Sequence, residues 1–285
     1  MAFVNRVSYV GQGGEVYRND GVGGYDFLYE ASTTKDPQWT IGDRVVLPDG
    51  RVFRYAYASG TCNPEVGAYK SKKSNTNAVA PAQATAASAN DGTGLAAGVV
   101  GSRSVSVTID TEIGVLTTGV LSANELAGGY VVVGNGSAQH PQMRRIISHP
   151  ALATAGGTLC LRLDAPLVTA VTVGTTNIEL IENPFYCVLG DNAGGDYVTY
   201  LGVSARVLTT GQYGWIQTKG IAWITSDGNT CDSAGDRTIV WVGNGSVVSS
   251  NDITVESGIR IAGVAMDNAS SGASNAPFVN LNQID

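Results

Sequence analysis

Residues 43–57 read Asp-Arg-Val-Val-Leu-Pro-Asp-Gly-Arg-Val-Phe-Arg-Tyr-Ala-Tyr, and this stretch decides the fold class. Asp49 and Gly50 lie between two runs rich in β-branched and aromatic residues. Asp-Gly in that setting is a strong signal for a β-hairpin. We therefore expect two antiparallel strands joined by a tight turn at positions 48–50.

Short apolar runs of the same kind recur along the rest of the chain. They fall at 104–109, 130–133, 159–163, 177–181, 185–189, 197–207, 214–224, 238–242 and 258–265. No stretch reads as alternating strands and helices, which excludes a doubly wound α/β sheet. A capping box, Ser-Ala-Asn-Glu at 122–125, predicts one short helix that Gly128 and Gly129 would end. The predicted fold is all-β, with a β-sandwich or β-barrel body, an extended N-terminal region and at most one or two short helices.

Composition divides the chain into three parts. Residues 1–76 are predicted to form an extended, glycine-rich N-terminal region that contains the hairpin. Residues 77–102, rich in Ala, Ser, Thr and Gly, are predicted to be a linker. Residues 103–285 are predicted to form the β-rich body, which admits two subdomains, 103–183 and 184–285. Gly-Asn-Gly-Ser occurs at 134–137 and again at 243–246, which fits either a turn used twice or a duplicated β-domain.

Charge and hydropathy argue against two classes of partner. The chain has 285 residues, a net charge of −7 and only 14% charged residues, whereas a general nucleic-acid binder needs many Lys and Arg side chains to displace phosphate counterions. No run approaches the roughly 18 apolar residues that span a bilayer, and the first residues lack a signal-peptide core. We expect no nucleic-acid partner, no membrane partner and folding in a reducing cytoplasm. The dispersed Cys62, Cys160, Cys187 and Cys231 are then expected to remain thiols.

The motifs of catalysis and metal binding are missing from the sequence. His140 and His149 both precede proline, far from any Gly-x-Ser-x-Gly pattern, and are expected in turns or at the surface. Zinc-ligand spacings, a Walker motif and a Gly-x-Gly-x-x-Gly motif do not occur, and the oxygen-rich stretch 227–236 fails the calcium-loop pattern. We expect no catalytic residue, cofactor or metal. A pair of glycosidase carboxylates has no local signature, so a polysaccharide-degrading enzyme stays a remote alternative.

Aromatic residues are the candidates for an interaction surface. Trp215 and Trp223 are eight positions apart, which places both on one face of a regular strand unless Gly220 introduces a bulge and reverses the alternation. Core packing, subunit contact and a sugar platform are the three interpretations of these tryptophans. Aromatic side chains are enriched in interfaces. The candidate interface residues are Tyr9, Tyr17, Tyr25, Phe27, Tyr29, Trp39, Trp215 and Trp223.

Residues 105–285 resemble the capsid decoration or cement proteins of tailed bacteriophages, which are encoded near the major capsid protein. The stretches that carry the resemblance are 127–130, 145–149, 161–167, 183–188, 212–220, 261–267 and a closing strand at 276–281. The resemblance implies synthesis in the host bacterial cytoplasm and a structural role in the virion, at the outer capsid surface. It also implies the major capsid protein as partner and self-association as a homotrimer. Another virion component, in the tail, the tube or a host-binding fibre, is the alternative.

The N-terminal region is the predicted capsid-docking part. Residues 1–75 hold nine of the 17 basic residues and eight of the 24 acidic ones, so this part is slightly positive in an otherwise acidic chain. Tyrosines spaced along glycine-rich sequence are suited to anchoring an extended segment on a partner. The alternative is that the hairpin at Asp49 and Gly50 adds strands to the body.

Overall fold

The fold was derived from a computed structural model. The structure describes residues 8–10, 15–18, 26–71, 82–83, 98–108, 120–135, 142–154, 157–171, 176–190, 198–227, 237–242, 244–250, 260–266 and 277–282. The only helical element within these residues is a 3-10 turn at Asp26–Tyr29. The prediction of an all-β protein is confirmed.

Eighteen strands are found in the described part of the chain. In order they are β1 (Ser8–Val10), β2 (Glu15–Arg18), β3 (Arg44–Val46), β4 (Val52–Ala58), β5 (Gly67–Ser71), β6 (Ala82–Gln83), β7 (Ser104–Thr108), β8 (Tyr130–Asn135), β9 (Gln142–Ser148), β10 (Thr158–Leu163), β11 (Thr176–Ile181), β12 (Tyr186–Gly190), β13 (Val198–Ser204), β14 (Tyr213–Trp223), β15 (Thr238–Trp241), β16 (Val247–Ser249), β17 (Arg260–Ala265) and β18 (Phe278–Asn282). Each apolar run named from the sequence corresponds to one of these strands. The strands β1, β2, β5, β6, β9 and β16 were not predicted.

The chain forms two compact units, and one is inserted into the other. The discontinuous unit comprises residues 1–71 and 184–285, and the inserted unit comprises residues 72–183. The predicted subdomain boundary between 183 and 184 coincides with the division. The separate N-terminal part is wrong, because β3, β4 and β5 belong to the same sheet as β12 to β18. The linker predicted at 77–102 is also wrong in its described parts, since β6 pairs with β11 and Gly101 donates a hydrogen bond to Leu167 in the inserted unit.

The discontinuous unit contains a closed five-stranded barrel. Its strands follow the order β4-β12-β5-β13-β14, and β14 pairs with β4 to complete the ring. Beyond the barrel, the second half of β14 pairs with β18, and the sheet continues through β17 and β15 to β16. The core consists of three buried clusters centred on residues such as Phe53, Ile216 and Ile239. An eleven-residue β14 therefore links the barrel with the sheet beside it.

The inserted unit is a six-stranded sheet in the order β6-β11-β8-β9-β10-β7. Alternation along β10 buries Leu159, Leu161 and Leu163 on one face, as the period of two requires. These leucines pack with Val131 and Ile178 in a core belonging to the inserted unit itself.

The hairpin at residues 43–57 forms as predicted. Strands β3 and β4 are antiparallel, with Val46 opposite Val52. Gly50 has a φ of 87°, which is the left-handed conformation that the turn requires. Within the turn, the Arg51 side chain donates to the Asp49 carboxylate over 2.7 Å, and the Arg51 backbone N–H donates to the same carboxylate over 3.0 Å. Because β4 is a barrel strand, the hairpin adds strands to the body, as the alternative interpretation held.

The short helix predicted from residue 122 does not form. The capping contact exists, since the Ser122 N–H donates to the Glu125 carboxylate over 2.7 Å. Asn124, however, has a φ of 63°, which a continuing α-helix excludes. Its backbone N–H donates to the His149 carbonyl, and its side-chain oxygen accepts the His149 N–H. Tertiary hydrogen bonds to the next segment therefore hold these residues as consecutive turns.

Candidate functional site

Strand β14 changes the direction of its side chains at a bulge. The pairing of β14 with β4 shifts register between Gln217 and Lys219, and Gly220 follows with a φ of 85°. As a result, Trp215 is 3% exposed whereas Trp223 is 45% exposed. The reversed alternation that the sequence left open is thus the one observed.

The outward face of β14, β18 and β17 carries a patch of large apolar side chains, which we call the outer face. In one row across the three strands, Trp223 lies opposite Phe278, and the Met266 N–H donates to the Phe278 carbonyl. In the next row, Asn280 lies opposite both Ile221 and Val264. The six apolar members are Ile221, Trp223, Ile261, Val264, Met266 and Phe278, and they are 45–60% exposed.

The opposite side of these strands is fully packed. Ala222, Val279 and Ala265 alternate with the exposed residues and are buried in the core of the discontinuous unit. The backbone below the outer face is therefore fixed by cross-strand hydrogen bonds and by core contacts. A surface on such a support is formed before any partner arrives.

Formal charge is absent from the exposed positions of these three strands. Apart from the apolar residues, the exposed side chains of β14, β17 and β18 are Asn280 and Asn282. The two charged residues of these strands, Lys219 opposite Asn282 and Arg260 at the start of β17, are half-buried. Thr238 of the adjacent β15, which is opposite Val264, is also exposed and neutral. Interface centres are depleted of charge and enriched in aromatic residues and methionine, which matches this composition.

A second feature of the discontinuous unit is a cluster of aromatic rings around Trp215. The Trp39 and Trp215 rings meet edge to face with centroids 4.8 Å apart, and Phe27 stacks on Trp39 at 5.8 Å. Tyr55 and Tyr213 stack on each other at 6.0 Å. Trp39 and Trp215 are buried inside the protomer, so core packing describes these two candidate interface residues.

An open cavity of about 310 Å³ lies against this cluster. Its apolar walls are the five rings, and its polar lining comes from Glu30, Ser32, Thr34, Lys35 and Asp36. The Asp36 N–H donates to the Tyr55 hydroxyl over 3.1 Å. Burial raises the pKa of Tyr55, so the hydroxyl keeps its proton as a donor. The cavity has the size of a small ligand site, with both donors and acceptors.

The remaining candidate residues are spread over the N-terminal part. Tyr29, at the end of the 3-10 turn, is half exposed, and its carbonyl accepts a hydrogen bond from Arg206. Tyr9 and Tyr17 are opposite each other in the β1–β2 pair. Tyr25 and the side chains of Tyr9 and Tyr17 lie outside the described residues. The structure therefore brings Phe27, Trp39 and Trp215 together and places Trp223 on a different surface.

His149 is buried, so the expectation of a surface or turn histidine is wrong. Its Nδ1–H donates to the Pro150 carbonyl over 2.7 Å, and its Nε2 accepts the Leu126 N–H over 2.8 Å. These two bonds fix the neutral ring in one tautomer. Burial lowers the pKa of His149 accordingly. His140 lies outside the described residues.

Metal ligands do not gather in the described part of the chain: no group of three or more His, Cys, Asp or Glu side chains there is arranged to hold an ion. The Cys62 thiol is buried, and desolvation raises its pKa to about 12. Such a thiol is a poor nucleophile and a poor ligand at neutral pH. Most of the stretch 228–236 lies outside the described residues.

Sequence reasoning identified one member of the outer face, Trp223, and missed the other five. Ile261, Val264 and Met266 belong to an uninterrupted apolar run, Ile-Ala-Gly-Val-Ala-Met, which was interpreted only as a strand. A strand that is apolar at successive positions is typical of a sheet that is buried on both faces. This uninterrupted apolar pattern is the sequence signal from which a buried or interacting outer face could have been predicted.

In the described residues the structure contains no helix with the length and apolar character to cross a membrane. Comparisons with protein-family models, with curated proteins and with solved structures give no match for this chain.

Proposed function

We propose that this chain is a structural protein of a tailed-bacteriophage particle that binds the outer capsid surface and stabilises the head. The observation that carries the proposal is the outer face, because Trp223 and Phe278 side by side on a rigid sheet indicate a subunit of a larger assembly. The resemblance of residues 105–285 to capsid decoration proteins is the reason for proposing a phage head as the assembly. The proposed partners are the major capsid protein and further copies of this chain, as in a homotrimer.

The size of the outer face supports a role in a lasting assembly. Six half-exposed side chains leave roughly 600 Å² of apolar surface, at about 100 Å² each. The largest apolar patch on a typical monomer is about 300–600 Å² and is often functional. A protein whose working life is spent in solution is expected to carry charges on such a face, whereas an assembled protein covers it. The proposed role is binding, with no catalytic residue assigned.

The direct test is reconstitution on phage heads that lack this protein. Purified full-length chain is mixed with such heads, and the heads are sedimented and their bound protein quantified. We expect saturable binding at symmetric lattice sites and heads that resist heat or low ionic strength better than undecorated ones. Heads that already carry the protein are the control and should take up little more. Failure of micromolar protein to co-sediment would refute the proposal.

The cavity beside Trp39 and Trp215 favours a second candidate, a host-binding component of the particle. Aromatic walls with hydroxyl, ammonium and carboxylate groups at the rim suit a neutral sugar ring, which needs apolar contact together with donors and acceptors. Titration with host-surface saccharides, followed by tryptophan fluorescence, tests it. A Tyr55→Phe variant removes one hydroxyl from the cavity and should weaken binding. A flat titration at millimolar saccharide would exclude this candidate.

A further inference from the structure

We infer that the outer face is covered by a second copy of this chain, so that the protein associates with itself through Ile221, Trp223, Ile261, Val264, Met266 and Phe278. The inference rests on the proposed function in that it says which of the two proposed partners covers the outer face. Charge, area and rigidity argue for a second copy as the occupant.

The charge distribution favours a partner that is the same molecule. The chain carries a net charge of −7, so two copies repel each other over most of their surfaces. The fully exposed positions of β14, β17 and β18 carry no charge, and the two charged residues of these strands, Lys219 and Arg260, are half-buried, so two copies can meet there with little of that repulsion. A partner of opposite charge would be selected by several exposed complementary charges, and the exposed positions of this face have none.

The polar residues of the outer face are also compatible with self-association. Asn280 lies at the centre of the face, opposite both Ile221 and Val264. An asparagine amide has two donors and an acceptor, so it can pair with the same group from another copy. A symmetric interface brings identical patches together and requires this kind of self-complementarity.

The area agrees with a stable interface. The six apolar side chains contribute roughly 600 Å² per copy, and two copies together about 1,200 Å², which is the lower limit of stable protein interfaces. Neighbouring polar residues such as Asn282 and Thr238 add to that figure. Because Ala222, Val279 and Ala265 hold the strands from below, little ordering is needed when the copies meet.

The test uses full-length protein and one surface substitution with a matched control. The protein is measured by sedimentation velocity and light scattering at concentrations from about 0.1 to about 20 µM, chosen as orders of magnitude for protein interfaces. The measured mass should be a multiple of the 29.4 kDa chain mass. Val264→Lys places a like charge from each copy in the interface and should weaken association on the order of 100-fold. Val207 is 45% exposed, close to the 52% of Val264, and lies in the same unit between β13 and β14, outside the three strand segments that form the outer face. Val207→Lys should associate as the unchanged protein does.

Tryptophan fluorescence provides a second readout. Trp39, Trp215 and Trp241 are buried in the protomer, and Trp223 alone among the four tryptophans is exposed. Acrylamide should therefore quench Trp223 in the Val264→Lys variant and spare it in the associated wild-type protein. Circular dichroism and thermal unfolding check that the variant keeps its fold, which is expected because residue 264 is half exposed.

The outcomes separate this inference from the proposed function. Loss of association and gain of quenching in Val264→Lys, but not in Val207→Lys, supports self-association through the outer face. A wild-type protein that is monomeric at 20 µM, or a Val264→Lys variant that associates normally, overturns it. If monomers bind heads and Trp223 becomes protected there, the capsid is the occupant and the proposed function survives. If the protein associates through this face but ignores heads, the inference survives and the proposed function does not.

Discussion

Substitution of Gly263 by alanine tests the close packing of β17 against β18. A Cβ atom at position 263 would overlap the Asn280 carbonyl oxygen and lie 2.8 Å from the Asn280 carbonyl carbon. Relief requires the strands to separate by about 1 Å, which breaks ladder hydrogen bonds of about 2.9 Å. Loss of two such bonds and partial exposure of the core should lower the free energy of unfolding by roughly 3–5 kcal/mol. The expected decrease in melting temperature is about 10 °C.

Gly211→Ala is the matched control for the Gly263 substitution. Gly211 has a φ of 84°, and an added Cβ would meet nothing within 4 Å. Only the left-handed backbone opposes alanine there, which costs about 1–2 kcal/mol. Calorimetry of the two variants should therefore show a far larger decrease for Gly263→Ala. If Gly263→Ala melts within 3 °C of the unchanged protein, on the order of 1 kcal/mol, the strand spacing described here is wrong.

Two further predictions concern buried titratable groups. Burial lowers the pKa of His149 in the folded protein, so the unfolded chain takes up a proton first as the pH decreases. The free energy of unfolding of the inserted unit should therefore fall below about pH 6.5 and level off below the lowered pKa. Thermal unfolding should show this slope between pH 7.5 and 5.5, a range that brackets the ordinary His pKa of about 6.5. The His149→Gln variant should show a flatter slope, and equal slopes in the two proteins would contradict the prediction. The pKa of Cys62 is raised to about 12. Iodoacetamide at pH 8, which is near the ordinary Cys pKa of about 8.5, should therefore label the Cys62 peptide only after the protein unfolds. Rapid labelling of Cys62 in the native protein would show that the site is open.

Local sequence signals predicted the strands well and their partners poorly. The hairpin around Gly50 is a local structure, because the turn and both strands are adjacent in sequence. The barrel closes through pairs such as Tyr57 with Tyr186, whose separation in sequence no local pattern encodes. The N-terminal region was predicted to stand apart for the same reason, since its barrel partners are found only after residue 184.

The false helix shows how tertiary contacts override a capping signal. The Ser122 and Glu125 contact forms as a capping box requires, and a purely local argument ends there. Asn124 then adopts a positive φ because its backbone and side chain both bond to His149, a residue 25 positions away. A sequence pattern specifies the first contact and contains nothing about the second.

The candidate surface was predictable only in part, because a bulge in β14 determines which of its two tryptophans is exposed. Trp215 and Trp223 have the same chemistry and an even spacing, so composition cannot separate a core residue from an exposed one. Gly220, with its φ of 85°, reverses the alternation between them. The sequence therefore predicts that a reversal is available at Gly220, and only the pairing of β14 with β4 and then β18 determines that it occurs.

The run Ile-Ala-Gly-Val-Ala-Met at 261–266 connects the sequence with the outer face. A strand with one face in water is expected to alternate apolar and polar residues, whereas this run has no polar side chain. Ala262 and Ala265 account for the face turned to the core, and both are buried. Ile261, Val264 and Met266 then remain on the other face, where Phe278 and Trp223 continue the apolar surface across β18 and β14. This is the surface that the inference of self-association assigns to a second copy of the chain.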